Sequence, residues 1–436
     1  MFLGLDFGTS GARACVIDPA KTIVWEQRVA YADPAGQTPM DWRGALHALL
    51  SALPKNIAAQ LQGLAIDGTS ATVLLCDAQL EPLPPCLLYH NNRAQQQADQ
   101  LKSIVPDGNS VVCTATSGLA KFLSLTQPSD IAQNNIDNAA YFLHQADWLT
   151  ALLSGQPGSS DYHNALKTGY DVEQLCWPDW VMALPHAHLL PQVLAPGDVI
   201  GRIQPDIAKH FGIHPHCAIH AGTTDSNAAF IASDIHELGV GVTSLGSTLV
   251  LKQLSTQRIT APEYGVYSHR YGNLWLVGGA SNAGGAALRH YFSDEQLATL
   301  SERINPLQDS PLDYYPLSKP GERFPINDAH LAPRPLRFSP GQVTSGAVNE
   351  VEFLHGLLQG LARIEAAGYA KLTELGAPPL TRVITNGGGA KNKIWQKMRA
   401  RLLAVPVSAA VNSEAAYGSA LLCLNYLCSP RNTLSN

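Results

Sequence analysis

The first eighteen residues, MFLGLDFGTSGARACVID, constrain the fold more than any other stretch. Phe2, Leu3 and Leu5 form an apolar run ending at Asp6, and Ala12, Ala14, Cys15, Val16 and Ile17 form a second run leading to Asp18. Between them lie Phe7-Gly8-Thr9-Ser10-Gly11. Glycines permit backbone angles that other residues avoid, and Gly, Thr and Ser present N–H groups and hydroxyls without bulk that would hold an anion away. The pattern predicts strand, tight turn, strand. An acid at the strand end beside such a turn suits Mg²⁺, which favours one or two carboxylates plus phosphate oxygens. Arg13 adds a donor for a charge-assisted hydrogen bond. A plain β-hairpin whose turn needs glycine for geometry alone fits the same residues. The turn is not a Walker A loop, and no GxGxxG follows the strand.

Further along, residues 22 to 31 predict a third strand completing a meander, and Leu46, Leu49, Leu50, Leu53 and Ile57 predict a helix over 43 to 60. Leu64 to Asp67 and Thr72 to Cys76 are apolar runs around a second hydroxyl-lined turn, where Thr69 and Ser70 suit a polyol or simply close another hairpin. Residues 136 to 155 carry a helical pattern ended by Ser154-Gly155. The turn-forming segment 156 to 170, with Asp161, His163, Asn164 and Lys167, reads as a surface loop, and 173 to 200 as a connector. Gly222-Thr223-Thr224-Asp225 leads from an apolar strand into a small-residue helix, so Thr224 or Asp225 serves as a helix cap, or Asp225 is a well-held base. GVGVTSLGSTLVLK, from 239, repeats the opening layout without its acid or arginine, which suggests duplicated halves with a ligand between them. A strand, Gly-rich turn and helix follow at 275 to 292. Residues 301 to 345 are proline-rich and irregular, and 353 to 375 form an amphipathic helix. Val383-Ile384 and Gly387-Gly388-Gly389 precede another helix, an arrangement that lets a ligand approach backbone and helix N-terminus; the chain closes with strand, loop and helix.

With 436 residues, two or three domains are expected, and a net charge of −6 without a basic run excludes nucleic acid and anionic membranes as partners. Eight cysteines without a CxxC pair read as buried thiols in a reducing compartment, the cytoplasm or a plastid. His214-Pro215-His216-Cys217 lacks a second ligand pair and reads as a surface loop. No apolar run approaches membrane-spanning length.

The order of these motifs resembles the FGGY carbohydrate kinases nearly end to end. LGLDFGTSGARA is similar to that family's first phosphate hairpin, LYHNNR to its W-x-D-x-R stretch, and HQADWLTALLSG to its D-x-L-x-x-x-L-t-G helix. AGTTDSNAA resembles the G-x-x-D catalytic segment, TSLGST the second phosphate turn, GERFP the G-E-R-x-P loop, TNGGGAKN the adenosine motif, and EAAYGSAL the closing helix. The resemblance implies an α/β fold: two ribonuclease-H-like domains of the sugar kinase, Hsp70 and actin superfamily flanking a central cleft. Residues 1–234 would bind sugar and phosphate, and 235–436 nucleotide. It implies ATP and Mg²⁺ as cofactors, with Asp6 organising the metal. Gly8, Thr9, Ser10 and Arg13 would meet phosphates opposite Gly246 and Ser247; Gly387, Gly388, Gly389 and Asn392 would line the adenosine end. Asp225 would be the general base. Tyr89 and Asn91 depart from the family's aromatic and acid, so only Arg93 is carried over there.

DGTSATVLLCD, SDYHNALKTGYD and the compact length most resemble the small cyanobacterial and plant branch that phosphorylates D-ribulose, with Thr69, Ser70, Asp6 and Asp225 toward the sugar. The expected partners are a small sugar and ATP, and the expected state is a monomer or weak homodimer. Alternatives are a kinase for D-xylulose or another small polyol, and a nucleotide-gated binding protein of the actin or Hsp70 kind.

Overall fold

The computed structural model describes residues 1–106, 111–127, 136–334 and 349–427. It resolves into two compact units: Met1–Asp234 with the chain from Asn412 onward, and Ile235–Val411.

Unit 1 contains β1 (Phe2–Phe7), β2 (Gly11–Ile17), β3 (Ile23–Ala30), β4 (Gly63–Gly68), β5 (Val73–Cys76), β6 (Pro82–Leu87), β7 (Tyr141–His144), β8 (Ser159–Asp161), β9 (Gln192–Leu194), β10 (Val199–Arg202) and β11 (Ala218–Thr224). Its main sheet runs β10-β11-β4-β1-β2-β3, with β1, β4 and β11 parallel and β2, β3 and β10 antiparallel to their neighbours. β1 and β4 are buried at every position, as strands covered on both faces must be. The parallel register sets Asp6 beside Asp67 and Thr223 beside Asp67. Three strands therefore deliver their C-terminal residues to one edge.

Unit 2 contains β12 (Val240–Leu245), β13 (Leu249–Ser255), β14 (Tyr267–Tyr271), β15 (Leu274–Ser281), β16 (Arg382–Asn386) and β17 (Val407–Ala409), ordered β14-β15-β13-β12-β16-β17. Read outward from the hairpin, β15-β13-β12-β16-β17 has the strand order of β3-β2-β1-β4-β11, with the last two strands parallel in each. The long helix Glu350–Glu374 buries Leu354, Leu357, Leu358, Leu361 and Leu372 against this sheet's core, following its helical spacing.

Several expectations are corrected. The closing helix, Ala415–Leu427, packs in unit 1 and not with the second half of the chain. The reason is backbone proximity. A Cβ on Gly4 of β1 would lie 1.9 Å from the Ala416 carbonyl oxygen, and one on Gly418 would lie 1.9 Å from that of Ala228, so only glycine admits both contacts. The helix expected over 43 to 60 is two, Pro39–Ser51 and Lys55–Ala58, interrupted at Pro54, and that over 136 to 155 is β7 followed by the helix Gln145–Ser154. Phe142 and Leu143 share an apolar run that suits either period, and pairing with β5 decides it. β4 and β5 lie in different sheets, so the Thr69–Ser70 turn does not close a hairpin. Segment 173–200 contains β9 and β10. Segment 156–170 is not a solvated loop: Asp161, His163 and Asn164 are buried.

The irregular run expected over 301 to 345 is irregular as far as 334, and its remainder lies outside the described residues, as does Cys428. Cys15, Cys76, Cys217 and Cys423 are buried free thiols, Cys86 and Cys113 are half-buried, and Cys176 is exposed. His214 and His216 are exposed, as a surface loop requires. Among the described residues no helix is long and apolar enough to cross a membrane.

Candidate active site

In unit 1 the ends of β1, β4 and β11 gather three carboxylates. Asp6 is 4% exposed and Asp67 fully buried, while Asp225 opens the helix Asp225–Ile231 and accepts from the Ser226 N–H at 2.6 Å. Burial first, then the Asp225 carboxylate, pushes Asp6 up to about 6, against the pull of Asp67 and the Arg13 guanidinium. Burial first, then the Asp6 charge, holds Asp67 well above the carboxylate range, against a Ser419 hydroxyl that donates to its Oδ2 at 2.6 Å. Two ionised oxygens cannot bond each other. A neutral Asp67 would donate to Asp6, giving its buried Oδ1, otherwise without a partner, a bond.

Arg13 lies 3.6 Å from Asp6 and donates to Glu414 at 2.9 Å, so the acid just ahead of the closing helix draws the arginine's charge aside. Gly8 closes the hairpin by donating to the Gly11 carbonyl at 3.1 Å, with Thr9 and Ser10 exposed at its tip. A Cβ on Gly8 would stand 3.4 Å from Asp6 Oδ1, close to the carboxylate it leaves uncovered. Among the described residues no group of three His, Cys, Asp or Glu side chains is arranged to hold a metal ion. Mg²⁺ does not need such a cage, because it keeps waters and takes phosphate oxygens beside one carboxylate. Asp6, crowded by Asp67 and Asp225 and 3.6 Å from an arginine that also binds Glu414, is a carboxylate that such a cation would neutralise.

Behind Asp225, Thr223 Oγ1 bonds His163 Nδ1 at 2.6 Å, and Asp161 accepts from the His163 and Asn164 N–H groups and from Asn164 Nδ2. Burial, then the neighbouring Asp147, pushes Asp161 up to about 7. The turn after β4 holds Thr69, whose N–H and hydroxyl both donate to Gln145 Oε1 at 3.0 Å, and Ser70, whose buried hydroxyl has no partner. Arg93 stays within its own loop, donating to Asn91 Oδ1 at 3.2 Å. No contact joins it to the acids. Thr224 holds the cap position ahead of Asp225 without a side-chain cap bond, so the helix-cap account of this segment is not realised through its hydroxyl.

Unit 2 presents a cavity of about 720 Å³ lined by Gly246, Gly285, Arg289, Gly388, Gly389 and Asn392, among others. Gly285 and Ala286 donate to the carbonyls of Gly246 and Ser247, which seats the turn after β12 on the following Gly-rich turn. Gly387 has φ 84° and begins the loop, and a Cβ on Gly388 would meet only the Arg289 guanidinium, 4.0 Å away, leaving that backbone open to the cavity. Asn392 caps the helix Lys393–Leu403 through Trp395 N–H at 2.9 Å and donates to Ser301 at 2.8 Å. Gly387 and Ser247 are adjacent to the lining without being part of it.

Sequence reasoning missed Asp67, Ser419, Gln145 and Glu414. The sequence does show Asp67 ending a buried strand as Asp6 does, and Gln145 lies within HQADWLTALLSG and Glu414 and Ser419 within EAAYGSAL, segments matched as motifs without a role given to these residues.

Models of the FGGY family of carbohydrate kinases match both parts of the chain, its N-terminal domain over residues 1–232 and its C-terminal domain over 241–425. The chain belongs to that family and is a carbohydrate kinase. It is 24% identical over 422 residues to the xylulose kinase of Escherichia coli strain K12, covering 92% of this chain and 84% of that one. It is 20% identical over 429 residues to the gluconokinase of Bacillus subtilis strain 168, covering 91% and 81%. Among solved structures, a xylulose kinase from Brucella ovis superposes with a TM-score of 0.82 at 23% identity, covering 99% of this chain and 92% of that one. A ligand-bound xylulose kinase from Lactobacillus acidophilus gives 0.81 at 16%, covering 98% and 89%. These likenesses establish the fold.

Proposed function

We propose that this chain is an ATP-dependent ketopentose kinase that converts D-ribulose to D-ribulose 5-phosphate. The observation that carries the reading is the meeting of Asp6 and Asp225 at one edge of the unit 1 sheet, near enough for Asp225 to raise the Asp6 pKa. In this reading Asp225, held by the Ser226 N–H, takes the proton of the terminal sugar hydroxyl as its oxygen bonds the γ-phosphorus and the bond to the β–γ bridging oxygen breaks. Asp6 would hold Mg²⁺, which would supply charge neutralisation of the phosphates. Gly8, Thr9, Ser10 and Arg13 contact phosphate, for which Arg13 turns from Glu414. In unit 2 the backbone at Gly246 and Gly388 admits the nucleotide without a side chain in its way, while Gly389 lines the same cavity.

Ribulose is favoured by the DGTSATVLLCD and SDYHNALKTGYD segments and by the unpartnered Ser70 hydroxyl, which has room in its bonding for a sugar hydroxyl. The second reading, D-xylulose, is favoured by the names of several relatives. An ADP-release assay with D-ribulose, D-xylulose, gluconate and glycerol separates them by kcat/KM. The proposal expects D-ribulose to lead by at least about tenfold, the discrimination that one well-placed hydroxyl contact supplies. A lead for D-xylulose overturns the substrate, and inertness toward all four overturns the ketopentose assignment.

A further inference from the structure

The helix Gly118–Thr126 carries a lysine, Lys121, that is 0% exposed. Burying an ammonium costs several kcal/mol unless its donors are satisfied, and no carboxylate pairs with this one among the described residues. Instead Nζ donates to three backbone carbonyls: Ala71 at 2.7 Å, Leu88 at 2.8 Å and Tyr89 at 3.2 Å. Burial, then the Lys167 charge, pushes the amine down to about 7. The carbonyls act the other way, since a neutral amine has two N–H groups and only the ammonium has the three this cage takes up.

The carbonyls belong to two segments distant in sequence. Ala71 lies in the turn between β4 and β5, in the left-handed region at φ 60°. An alanine there is strained by about 1 kcal/mol or more, so something must hold it. Leu88 and Tyr89 follow β6. Thr72 Oγ1 bonds Thr69 Oγ1 at 2.6 Å and accepts from the Tyr89 N–H at 2.9 Å, a second tie between the segments. Gln145 fastens the start of the turn through Thr69. Thr69, Thr72 and Lys121 are therefore committed, while the Ser70 hydroxyl is buried and unpartnered, as is Gln145 Nε2.

We propose that Lys121 is a positioning residue for sugar selectivity: by clamping the Ala71 carbonyl to those of Leu88 and Tyr89, it fixes where the Ser70 hydroxyl meets a hydroxyl of the ketopentose. This rests on Ser70 as a sugar contact, the reading given above. Lys121 touches neither sugar nor nucleotide. Its effect is geometric, because a turn free to relax loses the energy difference between one epimer and the other before it loses binding altogether.

The test compares wild type, Ser70→Ala, Lys121→Met and Thr72→Val by steady-state kinetics with D-ribulose and D-xylulose, by ATP affinity and by thermal melting. Lys121→Met keeps the stem and removes the ammonium. The expected result is a KM for the preferred ketopentose raised about tenfold or more, a D-ribulose to D-xylulose ratio falling toward one, and ATP affinity within about twofold. A merely structural lysine would lower the melting temperature and leave the ratio and the sugar KM of the folded fraction unchanged, and that overturns the proposal. Should Lys121→Met fail to fold, Thr72→Val, which cuts the parallel tie without touching the charge, must show the same sugar-only loss; unchanged selectivity in it also overturns the proposal. Outcomes for the two readings differ. Wild type inert toward both sugars, or an unaltered Ser70→Ala, defeats the sugar-site reading. An impaired Ser70→Ala beside an unaltered Lys121→Met defeats the clamp alone.

Discussion

Both units open on strand, turn, strand at the head of the same sheet order, and they differ in charge. In unit 1 the residue two before the turn glycine is Asp6, registered with Asp67 on the parallel neighbour. In unit 2 the corresponding pair is Ser244 and Asn386, polar and uncharged. Unit 2 does bury a carboxylate close by, Glu365, but Arg399 donates to both its oxygens at 2.6 Å, and Thr243 and Thr385 complete the network from neighbouring strands. Its acid is neutralised by the protein. In unit 1 Asp6 is crowded by Asp67 and Asp225 while its arginine is partly diverted to Glu414, so burial there raises the Asp6 and Asp67 pKa values where around Glu365 it tightens an ion pair. One sheet order thus carries an unbalanced cluster of acids in unit 1, and a balanced ion pair together with a glycine-lined cavity in unit 2.

The comparison is broken most severely at Asp225. Asp225→Asn is expected to lower sugar-dependent ADP formation at least about a thousandfold, some 4 kcal/mol of barrier, while nucleotide affinity stays within about twofold. The coupled assay and a fluorescent-nucleotide titration check this, and near-normal turnover removes the base from the unbalanced site. Next, Arg399→Met should destabilise the protein by about 3–5 kcal/mol, since it strands the buried Glu365, yet leave kcat little changed below the new melting temperature. Chemical denaturation beside kinetics at low temperature measures both; a loss of kcat at full folding would mean that the balanced network also does chemistry.

The smallest effect, on the order of 1 kcal/mol, concerns pH. Asp67 and Asp6 have folded pKa values raised above their unfolded ones, so the stability they contribute is fully present at low pH and is lost as pH rises, for Asp6 through about 6. Asp67→Asn keeps an amide donor for Asp6 and an acceptor for Ser419 while removing one titration. Melting in chelator between pH 5 and 8 should show a flatter loss in the variant than in wild type, and parallel curves would place Asp67 in its ordinary range.

What the sequence determined by itself is what a few consecutive residues encode. Apolar runs on either side of Gly8 and of Gly246 set the two hairpins, Leu354 to Leu372 sets the long helix, and Gly387 to Gly389 sets the turn ahead of the next helix, because apolar runs, the helix period and glycine turns are local. The motif order also reached the family. Where local signals tie, they failed: the 141–144 run fits either period, and only pairing with β5 made it a strand. The polar look of 156–170 hid its burial, since Asp161 satisfies donors of its own segment and so leaves water. Tertiary structure alone decided the rest. Asp67 stands beside Asp6 through a parallel register between strands far apart in the chain, Ser419 arrives from a helix more than three hundred residues later, and Lys121 finds its carbonyls in two other segments. No short window holds such information, because which buried polar groups meet depends on how separate strands and helices are brought together, and each must find a partner there or cost the fold stability.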